Sequence, residues 1–156
     1  LHGINVHKLF KFTFVRNPFD RLVSAFLYDI NMYKYRPLPE RNRLFNLYGN
    51  AGKPGPEEFT SFIFNDLKRV MNRVFFYREQ VCWTLNYDFV GFYEKINEDY
   101  KRVCGEINIP VEDLPWLNNN NKPHYSTFYI GSEAVEIVAD LYKRDLNQFN
   151  YTFDVK

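Results

Sequence analysis

The chain reads as an α/β protein with parallel strand pairing. Two apolar, aromatic runs, Leu9–Val15 and Tyr87–Tyr93, have the length and composition of strands. Each is followed closely by an apolar stripe at helical spacing, one beginning at Phe19 and the other at Ile96. A strand–helix, strand–helix order is the pattern of α/β domains. The 156 residues fit one domain spanning 1–156, and a 46% apolar content with 16 Phe and 12 Tyr gives it an aromatic-rich core.

In the first strand–helix pair, Asn17 is placed to cap a helix whose first position is Pro18, with Asp20 three residues after the cap. Phe19, Leu22, Val23, Phe26, Leu27 and Ile30 form its buried stripe, and Asn17, Arg21 and Ser24 share another face. Residues 34–56 mix Pro37, Pro39, Pro54 and Pro56 with Gly49, Gly52 and Gly55 among scattered charges, and read as a long surface excursion of the kind that borders sites. Pro56-Glu57-Glu58 opens the next helix, with acidic residues suited to its dipole and Phe59, Phe62, Ile63, Leu67 and Val70 inward. The helix after the second strand carries Ile96, Tyr100, Val103, Cys104 and Ile107. The stretch Trp116–Tyr129, with asparagines at 118–121, reads as irregular. Ser132 is the expected cap of a last helix reaching Phe149.

A net charge of +1 argues against a general nucleic-acid binder. No apolar run approaches the ~20 residues of a membrane span, and no signal peptide is recognisable. The start at Leu1-His2-Gly3, without methionine, is expected of a piece of a longer chain. Cys82 and Cys104 are too few for a disulfide scaffold or a zinc site. They read as buried small hydrophobes, with a single disulfide as the alternative. No residue set has metal spacing, so no metal is expected.

The chemistry concentrates in Phe14-Val15-Arg16-Asn17-Pro18-Phe19-Asp20-Arg21-Leu22-Val23-Ser24. Arginine presents a planar fork of donors that matches two phosphate oxygens. Here it sits at a strand end beside a helix N-terminus, with the Ser24 hydroxyl eight residues on. The plainer alternative pairs Arg16 with a carboxylate and leaves Ser24 facing solvent.

This segment resembles the 3′-phosphate-binding signature of the carbohydrate-type sulfotransferases and their bacterial relatives, which use 3′-phosphoadenosine 5′-phosphosulfate (PAPS). The resemblance extends from about Phe10 to Phe153. Tyr87 to Glu94 is similar to the family's strand ending in an aromatic–Glu pair. Lys122-Pro123-His124-Tyr125 falls where the family has a basic, aromatic loop near the nucleotide. Tyr142 to Phe153 looks like its closing helix and aromatic tail. The resemblance implies a three-layer fold like that of P-loop NTPases, with a parallel sheet between helices, here N-terminally truncated. It also implies that Arg16 and Ser24 bind the 3′-phosphate of PAPS or of its product PAP, with Lys122 and Tyr125 as additional nucleotide contacts.

Two departures accompany it. The family's second phosphate loop, a Gly/Ser/Thr-rich basic turn that grips the phosphosulfate, is not among the 15 residues before Arg16, and Gly49–Gly55 with Lys53 reads as a surface turn. Phe92 stands where the family often has an arginine.

Sulfuryl transfer resembles phosphoryl transfer, an in-line displacement through a loose transition state, and it needs a base for the acceptor proton. His7 is the upstream candidate for that base, ahead of His2; a plain strand-edge histidine is the alternative. His124, Gln80 and Glu94 are candidate acceptor contacts, with Trp83 beside Gln80; helix capping is the alternative for Glu94 and core packing for Trp83. The expected activity is transfer of a sulfuryl group from PAPS to a hydroxyl acceptor, a carbohydrate by resemblance, with no nucleic-acid partner. The alternatives are a module that holds nucleotide or sulfated glycan without transfer and a phosphotransferase, the latter requiring a GxxxxGK[ST] segment that the sequence lacks. The expected compartment is the cytoplasm, or the Golgi lumen for a eukaryotic member separated from its anchor.

Overall fold

In the computed structural model, strand β1 (Phe12–Val15) pairs in parallel with β2 (Phe89–Phe92), Phe12 opposite Phe89 and Val15 opposite Phe92. The structure describes residues 9–32, 39–49, 52, 54–115 and 122–155. The chain forms two compact units, one from Leu1–Arg16 and Gln80–Asn119, the other from Asn17–Glu79 and Asn120–Lys156.

In the first unit the strands are shorter than the apolar runs that predict them. Asp88 ends the pairing on one side, its carboxylate accepting the Lys11 N–H at 2.7 Å while its own N–H donates to the Lys11 carbonyl at 2.8 Å. Gly91 lies opposite Phe14, and a Cβ there would stand 2.6 Å from the Phe14 ring, so the strand needs glycine for the two chains to pair. Beyond β2 a 3₁₀ turn (Tyr93–Lys95) leads into α5 (Ile96–Glu106), named in chain order with the helices below. The buried Asp99 of α5 reaches back to accept the Phe92 N–H at 2.7 Å, which fixes how the chain leaves the strand.

The second unit is helical: α1 (Pro18–Met32), α2 (Pro39–Tyr48), α3 (Pro56–Asn65), α4 (Leu67–Met71), α6 (Ser132–Leu141) and α7 (Lys143–Phe149). The predicted α1 stripe is buried in full. Asn17 caps the helix as its position implies, with Oδ1 accepting the Phe19 N–H at 3.0 Å. The core is a lattice of rings: Phe26 meets Phe59 and Phe62 at centroid distances of 5.4 and 4.9 Å, and Phe59 meets Tyr129 at 5.1 Å.

Four expectations change. Part of the predicted excursion over 34–56 is α2, whose buried face is Arg41, Leu44 and Tyr48. Its sequence looks like a loop because only Leu44 and Tyr48 are buried in the apolar core and ion pairs supply much of its anchoring. Arg41 pairs with Asp29 of α1 at 2.8 Å, and Glu40 binds Arg69 and Arg73 at 2.7 and 3.2 Å. The helix opened by Pro56 breaks at Asp66, where the buried carboxylate gathers the Tyr48 hydroxyl at 2.6 Å, Arg69 Nε at 3.2 Å and the Arg43 guanidinium. The last helix is two: its N-cap is Gly131 at φ +80°, not Ser132, and it breaks at Tyr142, whose hydroxyl donates to the Tyr77 carbonyl at 2.6 Å. Both cysteines are free thiols, Cys104 buried as expected but Cys82 exposed.

Candidate functional site

Arg16 is the first residue past β1 in the first unit. Its backbone is held by the Gln80 side chain: Gln80 Oε1 accepts the Arg16 N–H at 2.9 Å, and Gln80 Nε2 donates to the Arg16 carbonyl at 2.8 Å. Gln80 begins a 3₁₀ turn (Gln80–Cys82) and is only 2% exposed. The amide of Gln80, a candidate acceptor contact in the sequence, is engaged here by the strand end. The Arg16 guanidinium carbon lies 4.3 Å from the centroid of the Tyr93 ring. The register explains this contact. Val15 pairs with Phe92, so Arg16 and Tyr93 occupy the next level, just past the ends of two parallel strands. Glu94 follows at the strand end where it was expected, exposed in the 3₁₀ turn. A cation and a carboxylate-bearing turn at the C-terminal ends of parallel strands stand where α/β folds place ligands.

In the second unit, Ser24 is half-buried in the middle of α1, and its hydroxyl has no hydrogen-bond partner among the described residues. Its neighbours on that face have structural work. Asn17 Nδ2 donates to the Thr152 carbonyl at 2.9 Å. The Arg21 guanidinium donates to the carbonyls of Phe76 and Arg78 at 3.0 and 2.6 Å, 3.9 Å from the fully buried Asp145.

Lys122, His124 and Tyr125 also lie in this unit. The Lys122 ammonium is paired with Asp20 in the first turn of α1. His124 Nδ1 accepts the Ser126 N–H at 3.4 Å and lies 2.8 Å from the Ser126 hydroxyl, capping the 3₁₀ turn Tyr125–Phe128. Tyr125 is 6% exposed, its ring stacked on Phe19 at 6.5 Å and met edge-on by Phe153 at 5.7 Å. Its hydroxyl accepts the Asp154 N–H at 2.8 Å, and burial holds the phenol above its usual range. Tyr125 therefore ties the C-terminal tail to the core. A groove of about 560 Å³ in the same unit is lined by residues including Thr127, Ser132, Val135, Glu136 and Phe153, and by none of the predicted contacts.

His7, the predicted base, and His2 lie outside the described residues. Among the described residues no cluster of His, Cys, Asp or Glu is placed to hold a metal ion. The reading of the sequence gave no role to the Tyr93 ring or the Asp99 carboxylate, which together shape the exit from β2. The signal for Tyr93 was its place in the aromatic–Glu pair that ends the second strand, while its pairing with Arg16 comes from the strand register; for Asp99, a tertiary hydrogen bond, there was none.

The family model described as "Sulfotransferase family" matches residues 2–152. Carbohydrate sulfotransferase 9 of Homo sapiens is 29% identical over 171 aligned positions, which cover 91% of this chain and 37% of that protein. Carbohydrate sulfotransferase 14 of Mus musculus is 29% identical over 110 positions, covering 65% of this chain and 29% of its own length. The chain thus spans about a third of the length of these curated relatives. No solved structure matches it. With a family model matched along nearly its whole length, the chain belongs to the sulfotransferase family.

Proposed function

We propose that this chain carries the 3′-phosphate half of a PAPS site in an enzyme that sulfates a carbohydrate hydroxyl. The observation that carries the reading is the placement of Arg16: a guanidinium at the end of a parallel strand, its backbone gripped by Gln80 and its head over Tyr93. A planar fork so held matches two oxygens of a phosphate monoester. Ser24, eight positions on and with a hydroxyl not engaged by any described residue, is the second proposed 3′-phosphate contact. The acceptor class follows from the relatives, both of which are called carbohydrate sulfotransferases. The three-layer, P-loop-like arrangement around the two strands belongs to the same proposal.

PAPS is a co-substrate in this reading. It supplies the sulfuryl group, and the residues of this chain bind and orient its adenosine 3′-phosphate end. Anchoring that end turns the encounter of sulfur and hydroxyl into a positioned one. The acceptor proton needs a base, and His7 is the proposed one. Glu94, exposed past β2, and His124 remain proposed acceptor contacts, and Lys122 a proposed nucleotide contact.

Calorimetric titration of adenosine 3′,5′-bisphosphate into the chain and into Arg16→Ala tests the reading. Binding to the native chain that Arg16→Ala weakens at least tenfold supports it. No binding, or binding indifferent to the substitution, overturns it. Transfer of labelled sulfate from PAPS to an oligosaccharide panel then separates an enzyme from a module that only binds.

A further inference from the structure

Resting on the donor-site reading above, we infer that Gln80 and Tyr93 are positioning residues for Arg16, one fixing its main chain and the other its guanidinium. Neither touches the phosphate in this scheme; both act through the arginine.

The strand geometry shows why the first is needed. Alternate residues of a strand point their N–H and C=O groups to opposite edges. The Lys11 carbonyl accepts from Phe89, so Lys11 faces β2, and Arg16, five residues on, faces the other edge. There Gln80 meets both of its main-chain groups, at 2.9 and 2.8 Å, as a neighbouring strand would. An amide side chain has the donor and acceptor of a peptide group, so one glutamine supplies a single rung of sheet where it stands. Gln80 is 2% exposed, so water does not readily replace it. With it the Arg16 Cα has a fixed place and direction; without it two hydrogen bonds to the strand end are lost.

The second residue acts at the other end of the side chain. Arginine has long, rotamer-rich reach, and ordering it at the moment of binding costs affinity. The Tyr93 ring, 4.3 Å from the guanidinium carbon, restricts that freedom beforehand through a cation–π contact. Tyr93 in turn is placed by the Asp99 carboxylate, which holds the Phe92 N–H at 2.7 Å one residue earlier. The contact uses the π face, which phenylalanine also has and leucine lacks. The tyrosine hydroxyl is therefore dispensable and the ring is not.

The measured quantity is the increment in affinity from adenosine 5′-monophosphate to adenosine 3′,5′-bisphosphate, determined by calorimetry on the full chain. Tyr93→Leu is expected to cut it about two- to fivefold, the worth of one cation–π contact. Gln80→Leu is expected to cut it at least as far, Tyr93→Phe to keep it within a factor of about 1.5, and the monophosphate itself to bind each variant as it binds the native chain. A merely structural role would weaken both nucleotides together, and that result refutes the inference. So does an increment unchanged in both leucine variants while Arg16→Ala abolishes it, an outcome that leaves the donor site standing. Loss of bisphosphate binding to the native chain, or indifference to Arg16→Ala, overturns the donor-site reading and this inference with it. Should Gln80→Leu fail to fold by circular dichroism, the comparison of Tyr93→Leu with Tyr93→Phe decides.

Discussion

Replacing Arg41 by methionine tests what holds α2 in place. Arg41 Nε lies 2.8 Å from Asp29 Oδ1, and the two side chains are 8% and 3% exposed. That burial decides which magnitude applies. An exposed ion pair is worth about 0–1 kcal/mol, whereas removing one partner of a buried pair strands the other and costs about 3–5 kcal/mol. Methionine keeps much of the aliphatic stem, so the loss reports the charge more than the packing. In a chain of this size each kcal/mol moves the melting temperature by about 2–4 °C, so Arg41→Met should melt roughly 6–20 °C lower. Replacing both partners by apolar side chains often comes close to neutral. The double variant Asp29→Leu/Arg41→Met should therefore recover more than half of the loss. The assay is equilibrium urea unfolding followed by circular dichroism for the native chain, both single variants and the double. A cost below 1 kcal/mol for Arg41→Met, or a double variant no better than the single, refutes the argument that a buried ion pair anchors this helix.

Other consequences follow from the same contacts. Gly91→Ala drives a methyl to within 2.6 Å of the Phe14 ring and should cost about 1–3 kcal/mol in urea unfolding. Burial works to raise the carboxyls of Asp66 and Glu40, but hydrogen bonds from Tyr48, Arg43 and Arg69 to the first, and from Arg69 and Arg73 to the second, hold both below their ordinary values. Since the folded values are the depressed ones, their stabilisation is complete above the ordinary carboxylate range, and it is lost as pH falls from that range down through the depressed folded values. Unfolding midpoints should thus drop below about pH 4.5, less steeply in Asp66→Asn. Tyr125→Phe removes the acceptor for the Asp154 N–H and should cost about 0.5–1.5 kcal/mol in the same unfolding assay. It should leave the calorimetric affinity for adenosine 3′,5′-bisphosphate unchanged; a tenfold weaker affinity would mean that Tyr125 contacts the nucleotide.

Local pattern carried much of the architecture. The α1 stripe from Phe19 to Ile30, the Asn17 cap and the two parallel strands were legible because period and capping act over a few residues. The family was legible for a related reason: a strand, an arginine, a helix-opening proline and a serine form one contiguous signature. The surroundings of that arginine were not. Gln80 is 64 residues from Arg16, and no spacing rule announces that its amide will close on the Arg16 backbone. His124 and Tyr125 are candidate ligand contacts in the sequence, with a plain loop residue and ordinary packing as the alternatives, and only the folded chain shows that the first caps a turn and the second stacks on Phe19.

The amino-acid sequence by itself determined the family, the apolar faces of its helices, the strands and the arginine at the end of the first, since each is written in neighbouring residues. Only the tertiary structure decided that α2 is a helix, that Asp66 ends α3, and that Gln80 and Tyr93 hold Arg16. The physical reason is shared. These features rest on ion pairs, hydrogen bonds and a cation–π contact between partners whose separation in the sequence carries no information until the chain has folded.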